Sequence, residues 1–167
     1  MQVQIDPFIV PECHEQIKIL YQDESLLLID KPTLLLSLSG KHPLNKDSVH
    51  FRLVQDFPSA TLVHRLDFGT SGVLVVALNK TVNANLTKQF QARTIEKSYT
   101  ALLHGHLPEG SGAIDFPIAK DQENFPLQKI CSEMGKPALT HYQVIERQDK
   151  PLVTRVVFTP VSGRTHQ

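Results

Sequence analysis

The segment His64-Arg65-Leu66-Asp67-Phe68-Gly69-Thr70-Ser71-Gly72 lies between two apolar runs, Thr61-Leu62-Val63 before it and Val73 to Leu78 after it. Apolar runs this short, bounded by small residues, read as strands, so the segment is a tight connection between them. Nothing in such a connection requires an arginine and an aspartate two residues apart. Period-2 alternation carried past the first strand sends Arg65 and Asp67 to the same side. A carboxylate and a guanidinium so placed, beside glycines that allow close backbone approach, have two uses. They can close a hairpin as a structural ion pair, or they can present a reactive carboxylate to an anionic ligand. Spacing alone leaves both open.

The flanking sequence reads as α+β, a mixed and mainly antiparallel sheet with flanking helices. Ile17 to Tyr21 and Ser25 to Asp30 form a hairpin through Gln22-Asp23-Glu24, and Pro32 ends its second strand. Leu34 to Leu38 is expected to be extended and buried. Lys46 to Phe57 is expected to be a helix capped by Asp47 or Ser48, with Val49 and Leu53 at helical spacing and Pro58 as its stop. A second helix runs from Lys80 to Arg93, with Val82, Leu86 and Phe90 on one face. Strands follow at Tyr99 to His106 and Gly112 to Ile118. The polar stretch Ala119 to Lys136, with Pro126 and Gly135, is expected to be a long loop. Thr140 to Glu146 and Leu152 to Val161 close the chain as a strand pair.

Composition narrows the class. The 167 residues, 41% hydrophobic and 20% charged, suit one soluble domain over residues 1–167. Cys13 and Cys131 lack metal or disulfide spacing, and His104 and His106 share a strand face without a third ligand, so neither a disulfide framework nor a zinc site is expected. Met1 to Pro11 holds no basic residue and is not a secretory signal. The apolar runs are too short to span a bilayer, and two sparse cysteines suit a reducing cytoplasm. Seventeen basic residues balance seventeen acidic ones. That balance does not itself suggest nucleic acid, although Lys80, Lys88, Arg93 and Lys97 face only Glu96 within one stretch.

Four blocks in fixed order add a resemblance. His64-Arg65-Leu66-Asp67 with Thr70-Ser71-Gly72 resembles the H-R-L-D-x-x-T-S-G signature of the RluA-type pseudouridine synthases. Asp30-Lys31-Pro32 resembles that family's early K-P block, Lys97-Ser98-Tyr99-Thr100-Ala101 its K-x-Y-x-A block, and Ser162-Gly163-Arg164-Thr165-His166-Gln167 its G-R-T-H-Q block. The stretches Leu20 to Asp23, Lys46 to Val49 and Met134 to Ala138 resemble the short subtype that modifies a tRNA anticodon stem-loop and a 23S rRNA hairpin.

The resemblance implies an isomerase that breaks the uracil N1–ribose C1′ bond, turns the base and rejoins it through C5, without cofactor or metal. It implies Asp67 as the catalytic carboxylate, Arg164 as the cation that keeps it ionised, and Tyr99 as the ring that stacks on the detached uracil. Arg65 would fill the space left by a flipped-out uridine, Lys31 would support the fold or contact a phosphate of the RNA, and Lys97 would be a further contact to the RNA stem-loop. His64 and His166 would make structural hydrogen bonds. A hydrolase built on Asp67 or Ser71 is disfavoured, because Gly69-Thr70-Ser71-Gly72-Val73 is not G-x-S-x-G.

Two departures from the family pattern stand out. Thr33-Leu34 follows Lys31-Pro32 where the family has x-G, so that turn is expected to be built differently. The chain also stops at Gln167 inside the last block, and no small N-terminal S4 domain fits before Ile17. This suggests a truncated form lacking the family's C-terminal segment, with an inactive RNA-binding module as the alternative. The Leu152 to Val161 strand would then lie against the Asp67 strand and leave an open edge.

Overall fold

Alternation in Leu26–Lys31 sends Leu27, Ile29 and Lys31 inward and leaves their neighbours half-buried, which fixes the first sheet. The structure is a computed structural model and describes residues 8–167. It divides into one unit ending at Ala92 and a second from Arg93 to Gln167.

In the first unit, β1 (Lys18–Gln22) and β2 (Leu26–Lys31) form the expected hairpin. Asp23 builds the turn: its carboxylate accepts the amides of Ser25 at 2.7 Å and Leu26 at 2.8 Å, and these bonds hold its pKa below the usual value. β3 (Thr61–Leu62) and β4 (Gly72–Ala77) complete a sheet of order β1-β2-β4-β3, antiparallel throughout. α1 (Val49–Asp56) starts at Ser48, whose hydroxyl accepts the Phe51 amide at 3.1 Å, as the capping argument requires. Leu27, Ile29, Leu74 and Val76 of the sheet, Val49 and Leu53 of α1, and Leu35 make the core. Each such side chain contributes about 1.5–3 kcal/mol on burial. α2 (Lys80–Ala92) lies against β4 and buries none of its residues fully.

In the second unit, β5 (Tyr99–His104), β6 (Ser111–Asp115), β9 (Leu139–Asp149) and β10 (Leu152–Pro160) pair in the order β5-β10-β9-β6. β10 therefore pairs with a strand on each of its sides. The stretch read as a loop from Ala119 to Lys136 holds a small hairpin, β7 (Ile118–Lys120) with β8 (Gln128–Ile130). Leu34 to Leu38 forms no strand, contrary to the extended, buried stretch expected: Leu34 lies in a turn, residues 37–38 bend, and only Leu35 and Ser37 are buried, while Leu34 and Leu38 are exposed. Every strand pair among the described residues is antiparallel, and two helices accompany them, so the chain is α+β.

Register places Tyr99, Phe158 and Tyr142 abreast on one face of the second sheet, with Gly112 next in line. A Cβ at Gly112 would stand 2.6 Å from the Tyr142 hydroxyl, so the ring lies flat over β6 only because residue 112 has no side chain.

Candidate active site

β3 ends at Leu62, and residues 63–71 leave the sheet instead of continuing it. Arg65 and Asp67 thus owe their placement to a loop, not to the strand alternation expected of them. Hydrogen bonds to the segment after β2 explain the departure. The Ser37 hydroxyl donates to the Leu66 carbonyl at 2.6 Å and accepts the Leu66 amide at 3.2 Å. This reciprocal pair turns Leu66 inward, 7% exposed, and leaves Arg65 exposed and Asp67 half-buried. The Thr70 amide donates to the Asp67 carbonyl at 3.0 Å, and the Thr33 hydroxyl to the Gly69 carbonyl at 3.0 Å.

Lys31 is the centre of this arrangement. It is 0% exposed, and its ammonium donates to the carbonyls of Pro32 at 2.9 Å, Leu35 at 2.7 Å and Phe68 at 3.4 Å. A lysine ammonium has three donors, so all are used. Burial pushes its pKa below the ordinary lysine value, and the charges of Cys13 and Asp67 pull it back up. Of the two roles expected of it, contact with phosphate is corrected, because no phosphate reaches a fully buried amine, and support of the fold is kept: Lys31 joins the early K-P block to the residue after Asp67.

The turn that follows is not rebuilt around the missing glycine. Leu34 itself adopts φ 57°, the left-handed region, and its amide donates to the Phe68 carbonyl at 2.9 Å. A leucine there carries about 1–2 kcal/mol of strain. Leu34→Gly is expected to relieve it, less the extra chain entropy of a glycine in the unfolded state, for a net gain of roughly 0.5–1 kcal/mol. A rise of about 1–4 °C in Tm by calorimetry checks this; a fall would mean that the Leu34 side chain stabilises more than its backbone strains.

His64 plays the structural part expected of it. Its Nε2 accepts the Val75 amide at 3.2 Å, and its ring stacks on Phe90 with centroids 4.6 Å apart. Phe8 meets Phe68 edge to face at 6.4 Å.

The second unit carries the other two blocks. Tyr99 is the first residue of β5, half-buried and opposite Phe158. Lys97, half-buried, donates to the Ser162 carbonyl at 3.1 Å, and burial followed by repulsion from Arg93 lowers its pKa. Its ammonium is committed at least in part to the chain, which ties the K-x-Y-x-A block to the G-R-T-H-Q block. Arg164 donates through Nε to the Pro137 carbonyl at 3.0 Å. Gln167 folds back onto the same turn, a role to which only its place at the end of the G-R-T-H-Q block points in the sequence. Ser37 was likewise missed, since a serine within an apolar run marks no particular function. Among the described residues no three metal-ligating side chains converge, and no helix is long and apolar enough to cross a membrane.

Comparison with known proteins adds to this geometry. The family model described as RNA pseudouridylate synthase matches residues 25–167. The dual-specificity RNA pseudouridine synthase RluA of Yersinia pestis is 50% identical over 149 residues, covering 89% of this chain and 72% of that protein. Its counterpart in Escherichia coli strain K12 is 46% identical over 149 residues, covering 89% of this chain and 68% of that protein. Among solved structures, human RNA Pseudouridylate Synthase Domain Containing 1 superposes with a TM-score of 0.76 at 32% identity, over 94% of this chain and 64% of that one. Human RNA Pseudouridylate Synthase Domain Containing 4 gives 0.67 at 26% identity, over 90% of this chain and 61% of that one.

Proposed function

The chain belongs to the RNA pseudouridylate synthase family, and from that membership we propose that it isomerises a uridine in a tRNA anticodon stem-loop, a 23S rRNA hairpin, or both. The observation that carries the reading is the loop of residues 63–71. Its main chain is fixed by hydrogen bonds from the Lys31 ammonium, the Leu34 amide and the Ser37 hydroxyl, with Arg65 exposed and Asp67 half-buried beside it. An enzyme that must hold a carboxylate against a sugar while the base turns needs a rigid loop of this kind.

Asp67 is proposed as that carboxylate, either attacking C1′ to form an ester bond that breaks when C5 displaces it, or taking a proton from C2′ that is returned there as C5 bonds to C1′. The N1–C1′ bond breaks, the uracil turns, C5 bonds to C1′, and the C5 proton is given up as N1 gains one. The product is an isomer, so no oxidant or co-substrate enters the balance. Tyr99 is proposed to stack on the detached uracil and Arg164 to supply the cation. Arg65, exposed next to the loop, is proposed to fill the stack vacated by the flipped uridine, an event that costs a few kcal/mol in paired RNA. A cytoplasmic location is part of the same proposal, supported by tRNA and rRNA as its substrates.

Incubation with a synthetic anticodon stem-loop and a 23S hairpin, followed by chemical detection of pseudouridine, tests the proposal. Conversion of one defined uridine is the expected result. Bound but unmodified RNA would leave an RNA-binding module instead, and release of free uracil would indicate a hydrolase.

A further inference from the structure

Gln167 makes a hydrogen bond with every site its side chain possesses. Its amide oxygen accepts the Ser162 hydroxyl at 2.9 Å and the Arg164 backbone N–H at 3.0 Å. Its amide nitrogen donates to the Leu139 carbonyl at 3.0 Å and the Thr140 hydroxyl at 2.9 Å. An amide offers two acceptor lone pairs and two donor protons, so this one is saturated. Its two ends hold different things. The oxygen holds the turn that carries Arg164, and the nitrogen holds the first two residues of β9.

The segment leading into β9 also holds the guanidinium, since Arg164 Nε donates to the Pro137 carbonyl. Arg164 is therefore fixed twice to the same stretch of chain, through its backbone by way of Gln167 and through its side chain directly. The turn itself is strained: His166 lies at φ 58°, a conformation that a non-glycine residue keeps only when its surroundings impose it. The Gln167 N–H closes the turn onto the Arg164 carbonyl at 3.2 Å.

We propose that Gln167 is a positioning residue for the reaction, locking the turn of residues 162–167 to β9 so that the Arg164 guanidinium keeps one orientation. The inference rests on the reading of Arg164 as the cation of the reaction. No other common side chain reproduces the clamp. Glutamate presents acceptors to the Leu139 carbonyl, asparagine is one methylene short, and leucine fills the space without bonding.

The test is a double-mutant cycle in the full chain, read as kcat and KM for pseudouridine formation on a stem-loop. Gln167→Leu is expected to lower kcat about tenfold with KM changed less than about threefold, since the loss concerns orientation and not RNA affinity. In an Arg164→Lys background the same substitution should cause little further loss, because the group it orients is already altered. Thr140→Val, which removes a single bond of the clamp, should give a smaller loss with the same coupling, and it serves if Gln167→Leu folds poorly. Unchanged kcat in both variants, or losses that multiply independently of Arg164, would overturn the proposal. If Arg164→Lys is as active as the parent, the assignment of Arg164 fails. If Arg164→Lys is slow and the clamp variants are fully active, the role of Gln167 alone fails.

Discussion

Asp67→Asn is expected to abolish pseudouridine formation while RNA binding stays within about an order of magnitude of the parent. Asparagine nearly matches the shape of aspartate but can neither ionise, nor attack C1′, nor accept a proton as a base. Loss of such a group lowers the rate on the order of 100- to 10,000-fold. The loop should survive, because many of its bonds involve no carboxylate. Leu66 is held by Ser37, Phe68 by Lys31 and Leu34, and Gly69 by Thr33. Single-turnover assays with chemical probing for pseudouridine measure the loss, and a filter-binding titration measures affinity. Turnover above about one per cent of the parent would remove Asp67 from its assigned role.

The second large effect concerns stability. Lys31→Met keeps the length and apolar stem of the side chain but leaves the carbonyls of Pro32 and Leu35 without their donor, while the Phe68 carbonyl keeps only the Leu34 amide. Unpartnered buried acceptors cost about 1–3 kcal/mol each, partly offset because a buried charge disappears as well. We expect a net loss of about 2–4 kcal/mol at neutral pH and a fall in Tm of roughly 5–15 °C.

The pH dependence has a defined sign. Burial lowers the folded-state pKa of Lys31 below the ordinary 10.5, so near neutrality both states are protonated and the folded state bears the whole burial penalty. As the pH rises through the lowered pKa towards 10.5, the unfolded chain binds more protons than the folded one, and stability rises. The gap between parent and Lys31→Met should therefore widen in that alkaline window, as denaturant melts at stepped pH can show. The salt dependence of RNA binding should be the same for both proteins, since no phosphate contact is lost.

Much of the fold can be read from local signals. The Asp23 turn, the Ser48 cap and the apolar spacing in α2 are all short-range, and each element forms where those signals place it. The β7–β8 hairpin is different. Its strands have three residues each, too few for alternation to show, within a polar stretch that contains Pro126 and Gly135. The end of β3 at Leu62 is also not local, because bonds from residues some thirty positions earlier in the chain draw Leu66 and Phe68 out of the sheet. For the site, the motif blocks name the candidates, but residue type alone leaves Lys31 between phosphate contact and support of the fold. A lysine next to a catalytic motif suggests phosphate, yet Lys31 falls on the same alternating face as Leu27 and Ile29, and that period already marked it as buried. Gln167 offers no such clue, since its four partners come together only in three dimensions.

The acceptors around the Lys31 ammonium are all main-chain carbonyls. Such a support depends on the path of the chain and not on which side chains it carries. Residue 68 can therefore drift over evolutionary time among residues of compatible size and backbone preference without loosening the loop, even though it adjoins Asp67. Position 31 has no comparable freedom, because only a long side chain ending in several donors can reach all three carbonyls from the floor of the sheet.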